Sequence, residues 1–178
     1  MKRLTPYLLI AFVLGIAAPA AAHGPTPKKV EETITIDAAP DEVWAVAKDF
    51  AGIKDWHPGV TEVTSKGGNE VDAERTLTLE NGGTLIDSLD EYLDDEMSYS
   101  YRLENEDIEH FPVSFYSATF SLKPADGGKT TVDWMGRFYR ADTGNFPSEN
   151  QNDEAAIAAM TAYFQQGLGG LKAEVEGQ

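Results

Sequence analysis

The chain has 178 residues, with 14 Lys and Arg against 30 Asp and Glu, a formal net charge of −16 and no cysteine. With 42% apolar and 25% charged residues it has the makeup of one globular domain with a substantial core, not of a disordered chain. The negative field opposes binding to nucleic acid or anionic lipid, and the missing thiols exclude disulfides, thiolate metal sites and cysteine nucleophiles.

Residues 1–22, MKRLTPYLLIAFVLGIAAPAAA, open with Lys2 and Arg3, run apolar from Tyr7 to Ala18 and end in small residues. This is the pattern of a secretory signal peptide cut before His23. The apolar run is shorter than the roughly 20 residues a spanning helix needs, so the expectation is a periplasmic protein with no membrane attachment after cleavage. Loss of Lys2 and Arg3 makes the exported chain more acidic still. A lead over residues 23–29 then precedes a single domain over residues 30–176.

Val30 to Asp37, VEETITID, alternates as a half-buried strand does. Pro40 suits the first turn of a helix, and Asp41 and Glu42 suit its positive end. That helix runs to about Phe50 with Val43, Trp44, Val46, Ala47 and Phe50 on one stripe. AGIKDW reads as a second short helix closed by Pro58 and Gly59. From there to about Arg140, six strands are separated by KGGNE, NGG, LDDE, ENED and ADGGK.

The last segment, residues 152–175, places Ile157, Met160, Phe164, Leu168, Leu171 and Val175 at steps of three and four, with Asn152 or Asp153 as the cap. Such a helix needs a large apolar surface to lie on, and the concave face of a curved antiparallel sheet is the one available. The expected class is α+β: a seven-stranded antiparallel sheet, in the order β-α-α-β6-α, wrapped around a long C-terminal helix.

That order, with IDAAPDEVWAVAKDFAGIKDWHPGV, AERTLTLENGGTLIDSLDEYLDD and GLGGLK, resembles the START-like or SRPBCC superfamily, the helix-grip fold of polyketide cyclases and plant pathogenesis-related ligand carriers. Within it, a signal peptide followed directly by HGPTPKKVEE is similar to the MxaD type, periplasmic proteins encoded with methanol-oxidation genes. The resemblance implies an accessory role by contact with methanol dehydrogenase and its c-type cytochrome. It equally leaves open a carrier or sensor of a small hydrophobic ligand, or a cyclase- or dehydratase-like enzyme using Arg75, Asp87 and a tyrosine.

In a helix-grip domain the two short helices plug one end of the sheet. Trp44 and Phe50 then belong to the core, Trp56 packs under the turn, and His57 sits at a cavity rim. If Asn81, Gly82 and Gly83 form a three-residue hairpin loop, Leu79 faces Leu85, Leu77 faces Asp87, and Arg75 and Asp87 form a diagonal pair on the inner face. A two-residue Asn-Gly turn would instead bring Ile86 inside beside Leu77; apolar matching favours the first register. Arg75 and Asp87 then either hold a ligand's polar group or only neutralise each other.

Tyr99 and Tyr101 share one face, as do Phe115 and Ser117, and as do Trp134, Gly136 and Phe138. If these faces are inner, rings line the interior, and the same rings can fill it. Gly136 and GLGG at 167–170 mark places where a pocket mouth could open. The candidate ligand-contact residues are therefore Trp56, His57, Arg75, Asp87, Tyr99, Tyr101, Phe115, Ser117, Trp134 and Phe138. No catalytic residue, cofactor or metal site is assigned. His23, His57 and His110 have no shared-site spacing, and a Cu(II) site at an exposed His23 terminus would need a second ligand that the sequence does not identify. LDEYLDDE and ENEDIEH concentrate acid in two strand-end loops, where charge could steer an encounter with a folded partner.

Overall fold

The computed structural model describes residues 24–177; the expected signal peptide and His23 lie outside them. The chain runs β1 (Lys28–Ile36), α1 (Pro40–Ala47), a 3-10 turn (Phe50–Asp55), β2 (Val60–Lys66), β3 (Glu74–Leu79), β4 (Thr84–Leu93), β5 (Ser98–Asn105), β6 (Val113–Ala125), β7 (Lys129–Arg140) and α2 (Asp153–Glu176). The sheet order is β1-β7-β6-β5-β4-β3-β2, with every neighbour antiparallel. Strands β2 to β7 follow one another as hairpins, so only the α1 segment crosses the sheet, carrying the chain from one edge to the other. Register shifts in the β2–β3, β4–β5 and β6–β7 pairs bend the strands and deepen the concave face.

Local chemistry explains the helix ends. The Glu42 carboxylate accepts from the Ala39 N–H at 3.0 Å ahead of Pro40, and the Asn152 side chain accepts from the Ala155 N–H at 2.9 Å, covering donors that the first helical turn leaves free. Helix α1 ends at Ala47, and Phe50 opens the following 3-10 turn, capped by Asp49. On α2 the buried stripe is Ala156, Met160, Tyr163, Phe164, Gly167, Leu168 and Leu171. Ile157, expected on that stripe, is exposed instead.

Two glycines set how closely α2 lies on the plug. A Cβ at Gly170 would stand 2.0 Å from the Trp56 carbonyl oxygen, and one at Gly167 would stand 2.5 Å from His57 Cδ2 and 2.6 Å from Trp134 Cζ3. GLGG is therefore a surface of close approach, not a pocket mouth. Gly136 is likewise covered, by the Phe164 ring, which stacks on Trp134 at 4.6 Å. Rings fill the centre: Trp56, Tyr99, Phe120 and Trp134 meet in pairs at 5.2 to 5.8 Å, and each such pair adds about 1 kcal/mol beyond the area it buries.

The β3–β4 hairpin corrects the expected loop by one residue. Leu79 N–H donates to Gly83 O at 2.8 Å, so the loop is Glu80, Asn81 and Gly82, with Gly82 at φ 87°, a left-handed position that glycine adopts without strain. Leu77 then stands opposite Leu85, and Arg75 directly opposite Asp87. The shift moves each pairing by two positions and so preserves the face, turning a diagonal pair into a direct one.

Strand β6 departs further. It advances from Ser114 to Ser117 while β7 goes only from Tyr139 to Arg137, so β6 carries one extra residue. Val113 is buried on the inner side; beyond the bulge, Tyr116, Ala118, Phe120 and Leu122 are buried instead. Phe115 and Ser117, expected inside by alternation, face outward; Phe115 is 69% exposed and holds φ at 48°.

Candidate functional site

Four elements converge on Arg75. Strands β3 and β4 set the guanidinium opposite Asp87, whose Oδ2 accepts from Nε at 3.0 Å. The 3-10 turn supplies the Phe50 carbonyl, which accepts from Nη1 at 2.8 Å. The guanidinium carbon lies 4.0 Å from the centre of the Phe50 ring and 4.6 Å from that of Tyr101 on β5, an arrangement in which ring faces attract the cation. From β6, the Tyr116 hydroxyl donates to the other Asp87 oxygen, and Trp134 Nε1 donates to the Tyr101 hydroxyl at 3.0 Å. Both charged side chains are fully buried.

The nest is charge-balanced but not fully hydrogen-bonded. Burial pushes the Asp87 carboxyl up, against the pull of Arg75 and the Tyr116 hydroxyl. Burial works against the Arg75 cation too, yet Asp87 and the surrounding hydroxyls more than offset it, so its pKa rises and the two remain an ion pair. Arg75 Nη2 sits 3.0 Å from Asp87 Oδ2 without hydrogen-bond geometry and has no hydrogen-bond partner; the Tyr163 hydroxyl and Trp56 Nε1 are also buried without one. Buried polar atoms are rarely left so unless water or a ligand serves them.

His57 is not at a rim. It is fully buried between the Tyr163 ring, 4.3 Å away, and the edge of Trp134. Its Nδ1 accepts from the Gly59 N–H at 3.1 Å, so Nε2 carries the proton and donates to the Tyr163 carbonyl at 3.0 Å. Burial, with a smaller contribution from Arg75, lowers its pKa to about 4. Both ring nitrogens are committed to structure. Burial also pushes the hydroxyls of Tyr101 and Tyr116 well above their ordinary range and that of Tyr99 to about 12, so at neutral pH these groups donate hydrogen bonds and do not act as bases.

A surface cleft of about 230 Å³ lies beside the nest. Helix α2 forms one wall with Ala159, Ala162, Tyr163 and Gln166; the β3–β4 tip and the His110–Phe111 turn form the other. Asn81 Nδ2 donates to the His110 carbonyl at 2.8 Å, and Asp107 Oδ1 holds His110 Nδ1 at 2.9 Å, tying the two loops together. Tyr163 belongs to both places: its ring lines the cleft, packing on Phe111 at 5.7 Å, and its hydroxyl lies within the field of Arg75 and Asp87.

Of the ten candidates, Arg75, Asp87, Tyr99 and Tyr101 meet in the nest. Trp56, His57 and Trp134 pack next to Tyr163 or one another, Phe138 is core, and Phe115 and Ser117 are outside. Tyr116 and Tyr163 are not among the ten, although each carries a signal. The first belongs to the apolar series Tyr116, Ala118, Phe120, Leu122; the second lies one position before Phe164 on the helical stripe.

Residues 27–176 match the family described as polyketide cyclase/dehydrase and lipid transport. The chain belongs to this family. Solved structures share its fold: XoxI from Bacillus cereus at 25% identity and TM-score 0.70, covering 83% of this chain and 95% of that one. Zhui aromatase/cyclase from Streptomyces sp. R1128 matches at 19% and 0.72, covering 85% and 94%. Norcoclaurine synthase from Thalictrum flavum matches at 14% and 0.66, covering 86% and 96%. No curated protein matches. The family's helix-grip architecture, a curved seven-stranded sheet around a long terminal helix, is the one described above. Among the described residues no helix is long and apolar enough to cross a membrane, and no group of three or more metal-binding side chains gathers.

Proposed function

We propose that the protein binds a small, flat, largely apolar ligand at the cleft beside Tyr163, with the ligand's polar group directed at the Arg75 nest, and that it carries or senses this ligand without transforming it. The observation that carries the reading is the pair of buried, unpartnered atoms, Arg75 Nη2 and the Tyr163 hydroxyl, set behind a ring-lined cleft. Membership of a family whose description includes both cyclases and lipid transport agrees with a ligand site. Against an acid–base role stands the state of the nest: Asp87 is engaged by Arg75 and Tyr116, and His57 has no free nitrogen.

Native mass spectrometry of the purified full chain, followed by solvent extraction, tests this. A retained small molecule released on denaturation is expected; a chain that retains nothing and takes up no flat aromatic compound overturns the reading. Turnover of a captured ligand would favour a cyclase- or dehydratase-like enzyme instead.

A second reading concerns partners. The resemblance to MxaD-type proteins and the net charge of −16 support a periplasmic accessory role in methanol oxidation, by contact with methanol dehydrogenase and its c-type cytochrome. The exposed acids Asp94, Asp95 and Glu96 follow β4, while Glu104, Glu106 and Glu109 follow the far end of β5, so the two clusters stand a strand length apart, roughly 25 Å. One partner contact would use one cluster. Association with the isolated cytochrome is expected to weaken with salt and with charge removal at a single cluster; equal loss at both, or no salt dependence, counts against it.

A further inference from the structure

The polar atoms left over in the nest specify more than a pocket. This inference rests on the proposed ligand site and concerns the kind of polar group that site accepts. Arg75 Nη2 is a donor only, and the Tyr163 hydroxyl, within reach of the same charges, has no acceptor. The acceptors of the nest are already taken: Asp87 Oδ2 by Arg75 Nε, Asp87 Oδ1 by Tyr116, the Phe50 carbonyl by Arg75 Nη1, and the Tyr101 hydroxyl by Trp134. The unmet hydrogen-bonding capacity therefore calls for an acceptor oxygen.

Charge narrows it further. Asp87 and Arg75 neutralise each other with both side chains fully buried. A carboxylate or phosphate ligand would add a second negative charge beside Asp87 with no second cation to balance it, and an unpaired buried charge is strongly unfavourable. A cation would meet Arg75. A neutral oxygen that accepts two hydrogen bonds meets neither objection. The cleft walls, Phe111, Tyr163, Ala159 and Ala162, supply ring faces and small apolar side chains for a planar body.

We propose that the ligand is an uncharged planar compound bearing a carbonyl oxygen, which accepts from Arg75 Nη2 and the Tyr163 hydroxyl, and that the site discriminates against the corresponding acid. The test is equilibrium dialysis of the full chain with three compounds of one skeleton: 9-fluorenone, fluorene and fluorene-9-carboxylate. Fluorenone is expected to bind about 10-fold or more tighter than fluorene, as two hydrogen bonds to otherwise unserved donors imply, and the carboxylate to bind weakest.

The Tyr163→Phe variant removes one donor that has no partner in the free protein, so folding should be retained. Its expected effect is a loss of about 3- to 10-fold for fluorenone with fluorene unchanged. Strongest binding by the carboxylate, equal binding of fluorenone and fluorene, or an equal loss of both in the variant overturns this inference while leaving a ligand site standing. Failure of all three to bind overturns both.

Discussion

His57 ties the turn before β2 to the middle of α2: its Nε2–H reaches the Tyr163 carbonyl at 3.0 Å while its Nδ1 accepts from the Gly59 N–H at 3.1 Å. Protonating Nδ1 would turn an acceptor into a donor facing a donor. The native state therefore binds this proton only near pH 4, whereas the unfolded chain binds it near 6.5. Between those values the unfolded state holds more protons, so stability is full above about pH 6.5 and is lost as pH falls toward 4, by up to about 3 kcal/mol. In urea unfolding, His57→Gln should be less stable than the parent at pH 7.5, and the gap should narrow at pH 5. A gap that does not change with pH would show that the ring is not held neutral.

The Arg75–Asp87 pair predicts a non-additive mutant cycle. Arg75→Leu or Asp87→Leu alone leaves an unpaired buried charge and is expected to cost about 3–5 kcal/mol. The double variant should be considerably more stable than the sum of the two losses implies, because no lone charge remains. Chemical denaturation of the three variants checks this, and simple additivity would mean that the pair is not coupled as the geometry requires.

Helix α2 offers an internal control on close packing. Alanine favours a helix over glycine by about 1 kcal/mol, and at Gly169 an added methyl would meet nothing within 4 Å, so Gly169→Ala should stabilise by up to that amount. Gly170→Ala should destabilise by several-fold more than this gain, since its Cβ would fall 2.0 Å from the Trp56 carbonyl oxygen. Thermal melts of the two neighbours, one rising and one falling, are the expected result.

Phe115 is a bulky residue in the left-handed region, exposed on the outer face. Such backbone is strained for a side chain of this kind, and asparagine tolerates it better. Phe115→Asn is expected to stabilise by about 1 kcal/mol and to leave ligand uptake unchanged. A loss of fluorenone binding in this variant would place the outer face in the site, against its position here.

Much of this arrangement is legible in the sequence because it depends on period alone. Alternation in VEETITID, the helical steps of α2 and the turn residues between strands specify the elements. The common face of Arg75 and Asp87 survives the one-residue error in the loop, since a shift of the pairing by two positions preserves parity. The same logic fails at β6, where a single extra residue reverses parity and exchanges Phe115 for Tyr116 on the inner side. No periodic signal announces a bulge, because its position is set by how β6 must bend to keep pairing with β7.

What the sequence by itself determined is the acidic single domain, its order of elements and the inward set of β3, β4, β5 and β7. Only the tertiary structure decided that His57 is locked between Gly59 and Tyr163, that the glycines of α2 close the plug, and that Arg75 and Tyr163 are left with unserved polar atoms next to a cleft. Those outcomes depend on distances between elements far apart along the chain, and local pattern carries no information about which side chain's hydrogen bonds the packed interior will leave unmade.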